Sequence, residues 1–84
     1  METKIGLANS YYLMENFEEA IKYYEEISQY DMNDEIEYNL ANCYYLKGDT
    51  DKSIQHYKNA LEINKEKPDC LYNLGNAYCI KEKF

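Results

Sequence analysis

The sequence predicts an all-α solenoid of antiparallel helix-turn-helix pairs, five helices long and about two and a half repeats deep. Three observations carry this expectation. Tyr38-Asn39-Leu40-Ala41-Asn42-Cys43-Tyr44-Tyr45-Leu46-Lys47 recurs as Tyr72-Asn73-Leu74-Gly75-Asn76-Ala77-Tyr78-Cys79-Ile80-Lys81, an offset of 34 residues, which is the signature of a repeat architecture. Leu7-Ala8-Asn9-Ser10-Tyr11-Tyr12-Leu13 aligns with Leu40 to Leu46 at an offset of 33, so one residue is missing from the first turn between repeats. Between these copies, apolar residues recur in steps of three and four, which places them on one helical face.

Taken in order, helices are expected over about residues 3–14, 17–29, 35–47, 51–63 and 69–82. The first, third and fifth carry the repeated segment. The second presents Phe17, Ala20, Ile21, Tyr24 and Ile27, and the fourth presents Ser53, Ile54, Tyr57, Ala60 and Leu61. Asn16 and Asp49-Thr50 supply N-cap chemistry before the second and fourth helices. Pro68 stands where a fifth helix begins and its missing N–H is harmless. The repeats divide the single domain, residues 1–84, into 1–33, 34–67 and a half repeat over 68–84.

These residues resemble the tetratricopeptide repeat pattern: Leu and a small residue followed by Tyr in one helix, then a small residue and an aromatic four positions later in the next. Leu7-Ala8, Tyr11, Ala20 and Tyr24 match it in the first repeat. Leu40-Ala41, Tyr44, Ser53, Tyr57 and Ala60 match it in the second, and Leu74-Gly75 and Tyr78 in the third. The resemblance covers essentially the whole chain and implies a right-handed solenoid. Small residues let helix axes approach while the tyrosines fill the space between them. Lys4 and Glu37 replace the large residue that opens the pattern, and Met32 and Lys65 replace its closing proline, so looser joints are expected. Leu71, Leu74, Tyr78 and Ile80 have no following helix to cover them, because Phe84 falls where the partner helix would start. The expectation is a fragment of a longer array, or self-association as a homodimer through this surface.

Composition narrows function. The formal charge is −7 and all nine basic residues are lysines, which argues against nucleic acid and anionic membranes as partners. Acids outnumber lysines seven to two over residues 1–33, so a partner is expected to be basic rather than acidic. Cys43, Cys70 and Cys79 show no CxxC pair and no metal-ligand spacing with His56, and read as reduced thiols of a cytoplasmic protein. No apolar run approaches a signal peptide or the roughly 20 residues of a membrane span. No catalytic motif is present, and a single His56, expected to be solvated on the outer face of its helix, supplies no oriented base. Neither enzyme activity, cofactor nor metal is expected.

The family resemblance implies a concave groove lined by the first helix of each pair, a protein-interaction surface. In this chain it implies Ile5, Asn9, Tyr12 and Leu13, with Glu2, in the first repeat. In the second it implies Glu35, Tyr38, Asn39, Asn42, Tyr45 and Leu46, and in the third Asp69, Tyr72, Asn73, Asn76 and Cys79. An Asn ladder can satisfy the backbone of a bound peptide, and a Tyr ladder can supply rigid stacking area. The same amides also suit bridging between helices, and the tyrosines packing; the sequence leaves these alternatives open. Family members that clamp an acidic chaperone tail need cations that here fall at Ile5, Asp69 and Asn73, so that ligand does not fit. The rival function is a self-assembling scaffold with an incidental groove.

Overall fold

A computed structural model describes residues 3–83; the expected groove residue Glu2, and Phe84, lie outside them. Five helices follow in order: α1 (Lys4–Leu13), α2 (Phe17–Ser28), α3 (Asp34–Lys47), α4 (Thr50–Ile63) and α5 (Pro68–Lys83). Each packs chiefly on the next in sequence, which gives an elongated body of 42 × 25 × 18 Å and the one-dimensional contact order of a solenoid.

The helix ends follow from local chemistry. Thr3 accepts from the Gly6 amide, Asn33 Oδ1 from the Ile36 amide at 2.9 Å and Asp49 Oδ1 from the Lys52 amide at 3.4 Å. Pro68 opens α5, as expected of a residue with no amide to leave unsatisfied. Asn16 differs from expectation, since its side chain makes no capping bond. Asp49 caps α4 from nearly the same backbone conformation, ψ 79° against 76°, so the difference lies in the side chain. The turn closes instead through backbone bonds from Glu15 N to Tyr12 O and Asn16 N to Tyr11 O, with Glu15 at a φ of 62°. The second repeat uses Gly48, at a φ of 101°, in the same place.

Two core clusters form. One joins Ala8, Ala20, Ile21, Tyr24, Leu40 and Cys43, and the other Ala41, Ile54, Tyr57, Ala60, Cys70 and Ala77. Ala8, Ala20, Ala41 and Ser53 are fully buried where helices approach, as the sequence pattern requires, while Gly75 stays open. Tyr24 and Tyr57 are the largest fully buried side chains; each removes about 150–250 Å² from water, a gross gain of roughly 4–6 kcal/mol.

Three further sequence expectations change. Glu37, expected to loosen the packing, is 2% exposed and accepts from Asn59 Nδ2 at 3.3 Å, with His56 Nδ1 2.7 Å from the same carboxylate oxygen. His56 is accordingly not a solvated surface residue: its ring stacks on Tyr44 at 5.4 Å. The first repeat makes the corresponding stack from Tyr11 and Tyr23, and ties Lys4 to Glu26 at 3.4 Å. Of the four residues expected to form an open end, Leu71 and Tyr78 are exposed. Leu74 packs on the second core cluster and Ile80 is half-buried.

Candidate binding groove

The first helix of each pair places one face toward a common concavity, because residues three and four apart share a side of a helix. Tyr12 from α1, Tyr38, Asn42, Tyr45 and Leu46 from α3, and Asn73 and Asn76 from α5 line a space of about 290 Å³. Thus six of the nine asparagines and tyrosines expected in the groove come together. Asn39 and Tyr72 stand outside this lining, Tyr72 being 72% exposed. Asn9 also lies outside it, with its carbonyl oxygen accepting from the Tyr24 hydroxyl.

The amide ladder is partly spent on the protein itself. Asn42 Oδ1 accepts from the Tyr57 hydroxyl and, at 3.2 Å, from Asn73 Nδ2, which also donates to the Tyr38 hydroxyl at 3.1 Å. Both lone-pair directions of the Asn42 carbonyl are therefore used, and its NH₂, shared with the Tyr12 phenol, is the group left to offer a ligand. Asn76 makes no side-chain hydrogen bond among the described residues and has both functions free.

Tyr57, expected from the sequence to serve packing alone, also joins the lining. The signal was present: Asn9 and Tyr24, like Asn42 and Tyr57, are 15 residues apart. Burial raises the Tyr12 phenol, and raises Tyr57 far more, so both remain neutral donors at physiological pH. Lys67 sits 5.2 Å from the Tyr38 ring centre at the groove edge and 3.3 Å from Asp34, a cation already engaged.

A larger open cleft of about 880 Å³ lies between the α3–α4 turn and the far half of α5, crossed by the exposed Lys81–Asp51 pair at 3.0 Å. The smaller space is the better candidate site, since tyrosine and amide groups of three helices converge there. Among the described residues, no group of three or more His, Cys, Asp or Glu is placed to hold a metal ion. No helix is long and apolar enough to cross a membrane. Cys43 and Cys70 are buried and Cys79 exposed, all as free thiols. The Glu37–His56 pair has the spacing of an oriented base, and its two further partners, Asn59 and Tyr44, hold it within the packing of α3 against α4.

No curated protein matches the chain. A family model described as tetratricopeptide repeat matches residues 2–34, and one described as TPR repeat matches residues 41–79. Between them they cover α1, α2, the second half of α3, α4 and most of α5, with small residues and tyrosines of the pattern at the helix crossings already described. The chain belongs to the tetratricopeptide repeat family, whose members are generally protein–protein interaction modules.

Proposed function

We propose that the chain holds a segment of a partner protein in the concave groove, in a cytoplasmic setting and with no chemistry of its own. The observation that carries this reading is the convergence of Tyr12, Tyr38 and Tyr45 with Asn42, Asn73 and Asn76 around one open space. Tyrosine supplies large contact area at low entropic cost, and the NH₂ of Asn42, shared with Tyr12, and both functions of Asn76 suit main-chain groups of a peptide. The acid excess of the first repeat favours a basic segment over an acidic one. Binding of basic peptides is expected to weaken as salt rises from about 0.05 to 0.5 M, where the Debye length falls severalfold. Salt-independent binding of acidic peptides would contradict it.

A second reading, self-association, draws on the exposed Leu71 and Tyr78 of α5. Light scattering across a concentration series separates the two: saturable peptide binding by a monomer supports the groove, and ligand-free association supports the scaffold.

A further inference from the structure

The hydrogen bonds on the groove wall run in one direction, and that direction decides which groups are left over. The Asn73 NH₂ donates to the Tyr38 phenol oxygen at 3.1 Å and to Asn42 Oδ1 at 3.2 Å, which engages both of its protons. The Tyr57 hydroxyl donates to the same Asn42 oxygen, and the Asn42 NH₂ faces the Tyr12 phenol oxygen. Toward the protein, then, Tyr12 and Tyr38 are acceptors, and each keeps an O–H of its own. Among the described residues neither O–H donates to another side chain, and nothing donates to Asn73 Oδ1. The two phenols are neighbours: burial first, then Cys43 and Tyr38 close by, raise the Tyr12 hydroxyl.

Two donors and one acceptor thus border the same space of about 290 Å³, and none of the described residues lining it is charged. A carboxylate only accepts, and it would enter a chain of charge −7 with no cation on the lining. An ammonium only donates, so it leaves both phenol protons unanswered, and it would approach Lys67, 5.2 Å from the Tyr38 ring centre. A trans main-chain amide points its C=O and N–H in opposite directions, so one wall cannot take both. A primary carboxamide carries its acceptor and its donor at one end. Tyr45 and the exposed Leu46 add apolar surface for a short methylene stem.

We infer that the groove reads a glutamine side chain of the partner segment: its C=O accepts from the Tyr12 and Tyr38 hydroxyls, its NH₂ donates to Asn73 Oδ1, and its methylenes lie against Tyr45 and Leu46. This rests on the groove reading above and adds a neutral, specific contact to the steering by charge.

The probes are four heptapeptides, acetylated and N-methylamidated so that no terminal group mimics the ligand. Each has lysine at its second and sixth positions, glutamine, methionine, glutamate or lysine at its centre, and alanine or glycine elsewhere. Titrated into the isotope-labelled chain at low salt, the glutamine peptide is expected to shift Tyr12, Tyr38 and Asn73. Methionine, of similar length but without the amide, is expected to bind about five- to tenfold more weakly, and glutamate at least about tenfold more weakly. In a chain carrying both Tyr12→Phe and Tyr38→Phe, which keeps the rings and loses the hydroxyls, the ratio of glutamine to methionine affinity is expected to fall to about one. A purely structural role for these hydroxyls would weaken all four peptides alike. Groove shifts with a ratio near one in the parent chain, or a ratio unchanged in the double variant, would overturn the glutamine reading and leave the groove standing. Tightest binding by the central lysine would assign the space to a cation and overturn it as well. Shifts confined to surfaces outside the groove with every peptide would overturn both readings.

Discussion

Replacing Asn42 by Ala tests whether the groove amides are part of the fold as well as of the site. Tyr57 is 1% exposed and its hydroxyl donates to Asn42 Oδ1, so Asn42→Ala leaves a buried donor without an acceptor. Asn73 is less affected, since it keeps the Tyr38 hydroxyl at 3.1 Å. An orphaned buried hydroxyl costs about 1–3 kcal/mol. In a domain of this size each kcal/mol moves the melting temperature by about 4–8 °C, so a fall of roughly 8–16 °C is expected for a cost near 2 kcal/mol. Tyr57→Phe removes the orphan. In the Asn42→Ala background it is expected to recover about 1 kcal/mol, seen as a coupling energy in a double-mutant cycle of urea midpoints at constant m. Asn9 and Tyr24 form an internal replicate of the same cycle. Strictly additive effects, or Asn42→Ala with unchanged stability, would refute the bridging role and return Asn42 to ligand binding alone.

The other predictions concern the turns, the buried ionisable groups and the thiols. Gly48→Ala forces an L-residue into a left-handed conformation and is expected to cost about 1 kcal/mol, whereas Glu15→Gly, at the matching turn, relieves the same strain and is expected to stabilise by several tenths; thermal melts read both. Burial pushes the Tyr24 and Tyr44 hydroxyls and the Cys43 thiol up to about 12, and Tyr57 in the same direction. The unfolded chain therefore releases these protons first, near pH 8.5 for cysteine and 10 for tyrosine, and stability is expected to be full below that range and to fall as pH rises through it toward 12. Urea midpoints measured against pH, with tyrosinate absorbance as the second probe, check the sign. A thiol reagent at neutral pH is expected to modify Cys79 in the native protein, and Cys43 and Cys70 only after unfolding.

The period and the helix positions were legible in the sequence because repetition states the same helix pair more than once. Predicted and observed ends differ by about one residue, and α3 starts at Asp34 because Asn33 caps it, a polar residue indistinguishable by type from its neighbours Asp31 and Asp34. Membership in the core was equally plain for Ala8, Ala41, Tyr24 and Tyr57. What the sequence hid was pairing across helices. Glu37 reads as a charge at an apolar position, and its burial becomes affordable only when α4 brings His56 and Asn59 onto its carboxylate. His56 reads as an outer-face residue until the Tyr44 ring is placed against it. In the groove, spacing identified the helix face, but which amides were already engaged depended on how far a tyrosine hydroxyl reaches across an interhelical gap. That distance is set by the small residues at the crossings, and periodicity does not contain it.

The central claim is that the concave face receives the partner. A basic peptide selected for binding to the intact chain, titrated at low salt and mapped by amide and side-chain shifts, tests it most directly. The account predicts saturable binding with the largest changes at Tyr12, Tyr38, Asn42, Tyr45 and Asn76, abolished together by Tyr38→Ala and Tyr45→Ala in a chain that keeps its helicity. Changes confined to the exposed sides of α2 and α4, such as Lys22, Lys52 and Gln55, with the tyrosine and amide signals of the groove unmoved, would contradict it.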